Sequence, residues 1–457
     1  MQADDLIRRD LATLWHPCTQ MHDHETVPLV PIVRGEGAWL VGADGRRYLD
    51  AISSWWTNLF GHGEPRIAAA IAEQARTLEH VIFAGFTHAP AVELAERLLA
   101  LAPAGLARVF YSDNGSAAVE VALKMSFHYW RNEGHAGRTR FIALGNGYHG
   151  ETLGALAVGD TGLYREAYAP LLMERLVTPS PDAYEAVPGE DAAAVARRRL
   201  DDLRAILERE ARTVCAIIVE PLVQCAGGMR MYDPVYLTGL RALCDEFGVH
   251  LIADEIAVGF GRTGTLFACA QAPAAAPGGP AGITPDFMCL SKGLTGGSLP
   301  LAAVLTTEAV YEAFYAEYAA GKAFLHSHSY TGNPIACRAA LATLGIFRDE
   351  PVLARNAALA AHLAHRLAPL ADHPHVADVR QTGLIAAVEL VADKATRTPF
   401  PSHERRGLRA RLDALGRGVV LRPLGEILYT MPPYCVTEAE IDLIADAIGH
   451  GVEVACR

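Results

Sequence analysis

Residues 249–264 read VHLIADEIAVGFGRTG and residues 286–297 read DFMCLSKGLTGG, and these two stretches give the clearest indication of the fold. Each begins with a short, mostly apolar run and then passes into glycine-rich sequence. Such a run is typical of a buried strand, and an ionisable residue, Asp254 or Lys292, follows or ends each one. A buried carboxylate and a buried amine are costly unless they are paired or used chemically. From the spacing alone, a structural ion pair or two unrelated strand-end residues explain the pattern better than a reactive site does.

Other segments of the chain have the same apolar character and extend this pattern. Helical patterns lie between several of them, at 116–130 and 234–248. The alternation predicts an α/β fold with a mostly parallel central sheet, in which ligands bind beyond the carboxyl ends of the strands. The further predicted strands are 107–112, 139–145, 214–221 and 301–307.

The pattern changes after about residue 345, which predicts a second, smaller α+β domain. A helix is expected over 352–371, two strands around a turn over 376–390, a helix over 402–416 and a strand over 419–424. Near the N-terminus, Asp44-Gly45 within 38–50 is a hairpin signal. We therefore predict an N-terminal segment (1–52) that joins the small domain, a large cofactor-binding domain (53–345) and a C-terminal small domain (346–457). The breaker-rich stretch 270–282 is expected to be a surface loop.

Composition excludes several classes of protein. Hydrophobic residues make up 51% of the chain, which argues against disorder, and 40 basic against 52 acidic residues give a net charge of −12. That charge argues against nucleic acid or an anionic membrane as the main partner. Nine scattered cysteines without a CxxC motif, an N-terminus without a signal-peptide core and the lack of a membrane-spanning run indicate a soluble, cytoplasmic protein. The HxH pairs at 22–24 and 326–328 are not specific, and no metal is expected.

Two loops that follow strands carry candidate cofactor-binding residues. Gly115 and Ser116 begin a predicted helix, whose free N–H groups and dipole suit a phosphate. The simpler alternative is an ordinary helix cap. Tyr148 follows the predicted strand 139–145 and could stack on a flat cofactor ring, or fill a turn as a core residue.

Candidate substrate residues lie outside these loops. Trp55 and Trp56 are adjacent, and neighbouring residues on a strand face opposite sides, so at least one of them is expected to line a pocket. A core tryptophan beside an interface tryptophan is an equal alternative. Arg422, at the end of the predicted strand 419–424, is a candidate carboxylate clamp, although a surface salt bridge is the better explanation of an arginine taken by itself.

The stretches 249–264 and 286–297 together resemble the signature of the class III aminotransferases, which have pyridoxal-phosphate fold type I. The resemblance covers nearly the whole chain. Further motifs resemble one subgroup, whose members transfer an amino group from S-adenosylmethionine to 8-amino-7-oxononanoate and form 7,8-diaminononanoate in biotin biosynthesis. These motifs are WHPCTQM (15–21), SSWW (53–56), YSDNGSAAVEVALKM (111–125), NGYHGET (146–152), EPLVQCAGGM (220–229), FLHSHSYTGNP (324–334) and RPLGEILYTMPPY (422–434).

The resemblance implies a role for each matching residue. Lys292 would hold pyridoxal 5'-phosphate as a Schiff base and act as general base, and Asp254 would partner the pyridine nitrogen. Gly115 and Ser116 would bind the phosphate, and Tyr148 would stack on the ring and border the substrate. The substrate pocket would include Cys18, Trp55 and Trp56, with Arg422 on the keto acid's carboxylate. In a homodimer with active sites at the interface, a loop from the other subunit would reach the phosphate; the matching residues are Ser327, His328 and Ser329.

Two departures from the subgroup's pattern bear on the amino donor. Position 18 often carries tyrosine, and here it is Cys18; the phosphate loop reads Ser-His-Ser in place of Gly-Pro-Thr. The smaller Cys18 leaves room for a bulky donor, which favours S-adenosylmethionine. The alternatives are lysine as donor, another ω-amino acid aminotransferase or aminomutase, and a binding protein without activity. The expected reaction is ping-pong.

Overall fold

A computed structural model describes residues 3–457 of the chain. Its strands coincide closely with the predicted apolar segments. In chain order they are β1 (Ile32–Glu36), β2 (Trp39–Gly42), β3 (Arg47–Asp50), β4 (Leu106–Ser112), β5 (Arg140–Leu144), β6 (Leu176–Thr178), β7 (Val214–Val219), β8 (Val223–Gln224), β9 (Arg230–Met231), β10 (His250–Asp254), β11 (Phe287–Leu290), β12 (Ala302–Thr307), β13 (Val376–Thr382), β14 (Ile385–Leu390), β15 (Val419–Val420) and β16 (Ile427–Thr430).

The helices lie mainly between these strands and at the two ends of the chain. They are α1 (Ala3–Thr13), α2 (Ser53–Trp56), α3 (Pro65–Thr77), α4 (Ala89–Leu101), α5 (Gly115–Asn132), α6 (Leu153–Ala157), α7 (Gly162–Tyr168), α8 (Ala192–Glu210), α9 (Val235–Phe247), α10 (Glu308–Glu312), α11 (Pro334–Asp349), α12 (Val352–Leu367), α13 (Arg406–Gly416) and α14 (Glu438–Cys456). No helix among residues 3–457 is long and apolar enough to cross a membrane.

The largest sheet has seven strands in the order β4-β12-β11-β10-β7-β5-β6. β10 pairs in parallel with both β7 and β11, and β5 pairs in parallel with β6 and β7. β12 is antiparallel to β11 and to β4, so it is the one reversed strand of the seven. The predicted α/β fold with a mostly parallel central sheet is confirmed.

Both faces of the central sheet are buried, which is why its strands read as continuous apolar runs. Successive residues of one strand belong to different hydrophobic clusters: Ile217 packs in one and Ile218 in the other. The cluster that contains Ile218 includes much of α5, whereas the Ile217 cluster includes buried leucines of α4, α8 and α9. The sheet therefore lies between two helical layers.

Two smaller sheets bring the ends of the chain together. The predicted hairpin is present as β2 and β3, with Gly45 at a φ of 82° in its turn, and β3 pairs in parallel with β15 from the C-terminal region. The strands predicted within 376–390 are β13 and β14, which join β16. Most of the stretch 273–281 is exposed, as expected of a surface loop.

Three local expectations are corrected by the structure. The strand predicted over 419–424 spans only Val419–Val420, since Pro423 has no N–H to donate to a sheet and the chain turns just beyond it, at Gly425 and Glu426. The helix expected from residue 402 begins at Arg406, after Ser402–Glu404 forms a short 3-10 turn. Trp55 and Trp56 lie in the single helical turn α2, not on a strand; Ser53, Ser54 and Trp56 all have a positive φ there.

Candidate active site

A cavity of about 610 Å³ lies at the carboxyl ends of β7, β10 and β11. Because these strands are parallel neighbours, the residues that follow them meet at one edge of the sheet. The cavity brings together eight of the predicted site residues, which are Cys18, Trp55, Trp56, Gly115, Ser116, Tyr148, Asp254 and Lys292. Arg422, Ser327, His328 and Ser329 do not line it.

Asp254 is the last residue of β10, and its carboxylate is buried and firmly oriented. One oxygen accepts from the backbone N–H of Ile256 at 3.1 Å, and the other lies 2.7 Å from Nδ1 of the buried His149. With Asp254 ionised, Nδ1 of His149 carries the donated proton. Nε2 of His149 is buried and has no hydrogen-bond partner among residues 3–457. The imidazole therefore fixes the direction in which the carboxylate faces the cavity.

Lys292 follows β11 and begins a short 3-10 turn, with its backbone at a φ of 45°. Its Nζ lies 5.3 Å from the ring centroid of Trp56, and it makes no hydrogen bond or ion pair with any of residues 3–457. Burial lowers the pKa of the Lys292 amine, while the charge of Asp254 acts in the opposite direction. The two groups thus share a cavity without forming the direct ion pair that a structural role would require.

The helix α5 begins at the cavity, as predicted. Asn114 caps it by accepting from the N–H of Ala117 at 3.0 Å, which leaves the N–H groups of Gly115 and Ser116 unused among the described residues. A Cβ on Gly115 would lie only 2.8 Å from Cγ2 of Ile256, so the position requires glycine. The Ser116 hydroxyl lies 2.8 Å from that of Thr152. Unpaired N–H groups at the start of an 18-residue helix suit an anion such as phosphate.

Tyr148 belongs to a small polar group on one wall of the cavity. Its hydroxyl donates to Glu151 at 2.9 Å, and burial raises the pKa of Tyr148. Cys18 is exposed, and its Sγ lies 3.9 Å from the same Glu151 oxygen. Tyr164 packs edge-on against Tyr148, and burial together with a hydrogen bond to Cys18 raises the pKa of Tyr164 to about 12. Glu151 therefore places a carboxylate at the cavity rim beside the predicted substrate residues.

The two tryptophans have different environments, although they are not on a strand. Trp56 is buried and donates through Nε1 to the hydroxyl of Tyr429 at 3.0 Å. Trp55 is 38% exposed, and the guanidinium of Arg422 lies 4.4 Å from its ring centroid. The turn thus directs one ring to the cavity floor beside Lys292 and the other towards Arg422.

Arg422 lines a neighbouring cavity of about 630 Å³ that shares Cys18 and Trp55 with the first. It forms no ion pair with any carboxylate of residues 3–457, so the surface salt bridge considered from the sequence is absent from that part of the chain. The Trp55 ring, against which this guanidinium lies, lines both cavities.

The loop that contains Ser327, His328 and Ser329 does not line the cavity of its own chain. Ser327 and Ser329 are exposed. His328 is held at 3.0 Å from the ring of His326, which in turn lies 2.8 Å from Nζ of Lys124. His328 also lies 3.4 Å from a carboxylate oxygen of Asp113, which comes just before the start of α5.

Sequence reasoning missed two buried residues of the site, His149 and Glu220. Glu220 directly follows β7, and Asp254 is the last residue of β10. The search for an ionisable residue at the end of an apolar strand, which identified Asp254, would therefore also have identified Glu220. Its carboxylate accepts from the N–H groups of Tyr148 and Cys225 at 2.9 and 3.0 Å, and burial raises the pKa of Glu220 to about 7. His149 carried no comparable signal, because its partner Asp254 is 105 residues away.

Comparisons with known proteins give one consistent result. Residues 20–452 match the family model described as aminotransferase class-III. The chain is 46% identical over 444 residues to the adenosylmethionine-8-amino-7-oxononanoate aminotransferase of Geobacter sulfurreducens, covering 97% of this chain and 96% of that protein. It is 43% identical to the protein of the same name from Helicobacter pylori, covering 96% and 95%.

Solved structures agree over almost the whole length. The crystal structure of adenosylmethionine-8-amino-7-oxononanoate aminotransferase from Methanocaldococcus jannaschii has a TM-score of 0.91 at 37% identity and covers 99% of both chains. An ω-transaminase from Pseudomonas jessenii, solved in complex with PMP, has a TM-score of 0.92 at 30% identity and covers 98% of both chains. The chain therefore belongs to the class III aminotransferases.

Proposed function

We propose that this protein is a pyridoxal-phosphate-dependent aminotransferase that moves an amino group from S-adenosylmethionine to 8-amino-7-oxononanoate, giving 7,8-diaminononanoate in biotin biosynthesis. The observation that carries the proposal is the placement of Lys292 and Asp254 in one cavity without a direct ion pair between them. The relatives described above support the choice of substrates, since they are named for this donor and this acceptor.

The residues of the cavity fit pyridoxal phosphate. Lys292 would hold it covalently, Asp254 would face the pyridine nitrogen, and the unused N–H groups at Gly115 and Ser116 would receive the phosphate. The close approach of Gly115 to Ile256 leaves no room for a larger side chain where the phosphate would lie. When bound, the cofactor supplies an aldehyde that accepts the amino group and a ring that withdraws electrons.

Each charged residue has a defined task in this proposal. Lys292, whose pKa burial lowers, would take and return the proton that moves during amino transfer, which requires a neutral amine. Asp254 would face the ring, and the contact of one of its oxygens with Nδ1 of His149, at 2.7 Å, holds the carboxylate in that direction. Tyr148 would stack on the cofactor ring and border the substrate.

The substrate groups also find suitable partners. S-adenosylmethionine and lysine are both cationic, and Glu151 supplies a carboxylate at the cavity rim. The small side chain of Cys18 beside Glu151 leaves space for the wider of the two donors. For the acceptor, Trp55 and Trp56 offer apolar surface for its chain, and Arg422 offers a fork-shaped cation for its carboxylate.

We also propose a cytoplasmic homodimer in which Ser327, His328 and Ser329 of one copy reach the phosphate site of the other. Leu325 and Tyr330, which flank this loop, are 77% and 62% exposed, as expected of a surface that a second copy covers. The nine unpaired cysteines fit a reducing compartment. The pairing of β3 with β15 supports the proposed division into an N-terminal segment (1–52) that joins a C-terminal small domain (346–457), with a large domain (53–345) between them.

A donor screen tests the proposal. Purified protein, pyridoxal phosphate and 8-amino-7-oxononanoate are incubated with S-adenosylmethionine, lysine or an ω-amino acid, and diaminononanoate is measured by mass spectrometry. We expect product with S-adenosylmethionine and none with protein that carries Lys292→Ala. Product with lysine alone would replace the donor but keep the acceptor, whereas no product with any donor would overturn the proposed acceptor.

A further inference from the structure

The second cavity, next to the active site, carries more positive charge than its walls neutralise. Of the arginines that line it, Arg405 forms a bidentate pair with Asp23, at 2.9 and 2.5 Å. Arg411 and Arg422 also line it, and neither has a hydrogen bond or ion pair within residues 3–457. Glu426 belongs to the same wall, and the basic residue whose charge acts on it is Arg406. Two guanidinium groups therefore face one cavity without a carboxylate partner.

Arg411 is half-buried without a partner among residues 3–457, whereas Arg406, the other half-buried arginine of its helix, pairs with Glu404. Arg411 lines the cavity from α13, whereas Arg409 on the same helix is exposed and does not line it. Burial lowers the pKa of the Arg411 guanidinium, and the positive charge of Arg422 lowers it further. A half-buried cation that repels its neighbour costs folding free energy, so its presence calls for an anion that both groups can bind.

We infer that Arg411 and Arg422 together form a two-guanidinium site that binds the terminal carboxylate of the acceptor. This inference rests on the proposed function. Trp55 belongs to both cavities, so an apolar chain that starts beside Lys292 can pass along its ring and end between the two arginines. Arg411 is thus a specificity-determining residue: it selects acceptors that carry a carboxylate at the far end of the chain.

The test compares Arg411→Gln with Arg409→Gln, a matched control from the same helix. We expect Arg411→Gln to raise the acceptor KM roughly 10- to 100-fold, which is the effect of losing one charged hydrogen bond. Its kcat at saturating acceptor and the rate of the half-reaction with the donor should stay near those of the wild type. Arg409→Gln should change none of these values, and Arg411→Lys should lose less than Arg411→Gln because it keeps the charge.

A binding measurement separates this inference from the choice of reaction. Calorimetry with nonanoate and with its uncharged analogue nonanamide, on the holoenzyme, reports the anion site without turnover. Arg411→Gln should weaken nonanoate and leave nonanamide unchanged, and it should melt no lower than the wild type since a repulsion is removed. Equal effects on both ligands, or an acceptor KM equal to that of Arg409→Gln, would overturn the inference. A wild type that binds nonanoate through Arg411 but does not turn over the keto acid would instead overturn the proposed function.

Discussion

At the scale of single residues, several residues of the site have backbone conformations that residues other than glycine rarely adopt. Lys292 has a φ of 45°, and Ser54 and Trp56 have values of 58° and 67°. Such left-handed residues cost free energy and persist where the surroundings hold them. Here the N–H and hydroxyl of Ser54 both donate to the buried Asp50, at 2.9 and 2.7 Å. The strain therefore coincides with the residues that place the amine and the indole ring.

The lowered pKa of Lys292 predicts a stability difference that depends on pH. Below its usual pKa the unfolded chain binds a proton that the folded amine resists, so stability rises as pH rises from the folded pKa towards about 10.4. In protein freed of cofactor, Lys292→Met should therefore be more stable than the wild type at neutral pH, with an advantage that shrinks in alkali. Chemical denaturation between pH 6 and 10, a range of about four units, measures this difference.

The control for this experiment is Lys322→Met, whose side chain lies outside the cavity. Its stability relative to the wild type should not follow the same trend with pH. A Lys292→Met advantage that stays constant across the range would show that the buried amine does not resist protonation.

At the scale of elements, the site is built by strands that end at the same edge of the sheet. β7, β10 and β11 are parallel neighbours, and they deliver Glu220, Asp254 and Lys292. β12 runs the other way, so its beginning lies at this edge, and residues 297–300 before it also line the cavity. The reversed strand thus closes the site with a loop that a parallel strand would have placed at the opposite edge.

The start of α5 provides a prediction for cofactor binding. In Gly115→Ala the new methyl group would meet Cγ2 of Ile256 at 2.8 Å, so the helix start must shift by a fraction of an ångström. We expect the Kd for pyridoxal phosphate to rise roughly tenfold or more, because a phosphate site depends on the positions of its N–H groups. Absorbance titration of the cofactor-free protein measures the change.

Two further variants decide whether the contact with Ile256 is the cause. Gly137→Ala is the matched control, since a Cβ there meets nothing within 4 Å, and its affinity should equal that of the wild type. Adding Ile256→Ala to Gly115→Ala should restore much of the lost affinity. An unchanged Kd in Gly115→Ala would show that this end of α5 does not hold the phosphate.

At the scale of the whole molecule, Arg262 connects parts of the chain that are far apart in sequence. It is buried, and it donates to the carbonyl of Pro432 at 2.7 Å and to that of Asn58 at 3.0 Å. A weaker contact, at 3.4 Å, reaches the carbonyl of Trp56. Arg262 therefore helps to hold the turn that carries both tryptophans against the C-terminal region, together with the hydrogen bond from Trp56 to Tyr429.

Loss of this connection should cost stability and acceptor binding together. Arg262→Met fills similar space but leaves buried carbonyls without a donor, so we expect the free energy of unfolding to fall by about 2–4 kcal/mol. The acceptor KM should rise, because Trp56 is no longer held in place. Urea denaturation and steady-state kinetics test both effects, with the exposed Arg409→Met as the control. A variant of normal stability would show that water or other groups satisfy these carbonyls.

The pattern of amino acids along the chain is enough to predict the class of fold and the residues at the strand ends. Buried strands produce apolar runs, and the carboxyl ends of parallel neighbouring strands lie at one edge of the sheet. Asp254 and Lys292, which follow or end two such runs, are therefore expected at the same edge. The helix start at Gly115 and the hairpin at Asp44-Gly45 are local signals of the same kind. The helix start and the hairpin depend on contacts within a few residues, and burial on both faces of a strand leaves a continuous apolar run, so a linear pattern records both.

Contacts between distant side chains follow from the tertiary packing and could not be predicted from the linear pattern. His149 finds Asp254 across 105 residues, and the guanidinium of Arg422 lies on Trp55 beside a second cavity that it shares with Arg411. The tryptophan pair was expected on a strand, but buried bonds hold it in a left-handed turn. The physical reason is that burial and pairing depend on how the layers pack, and a side chain's partner across that packing leaves no periodic trace in the chain.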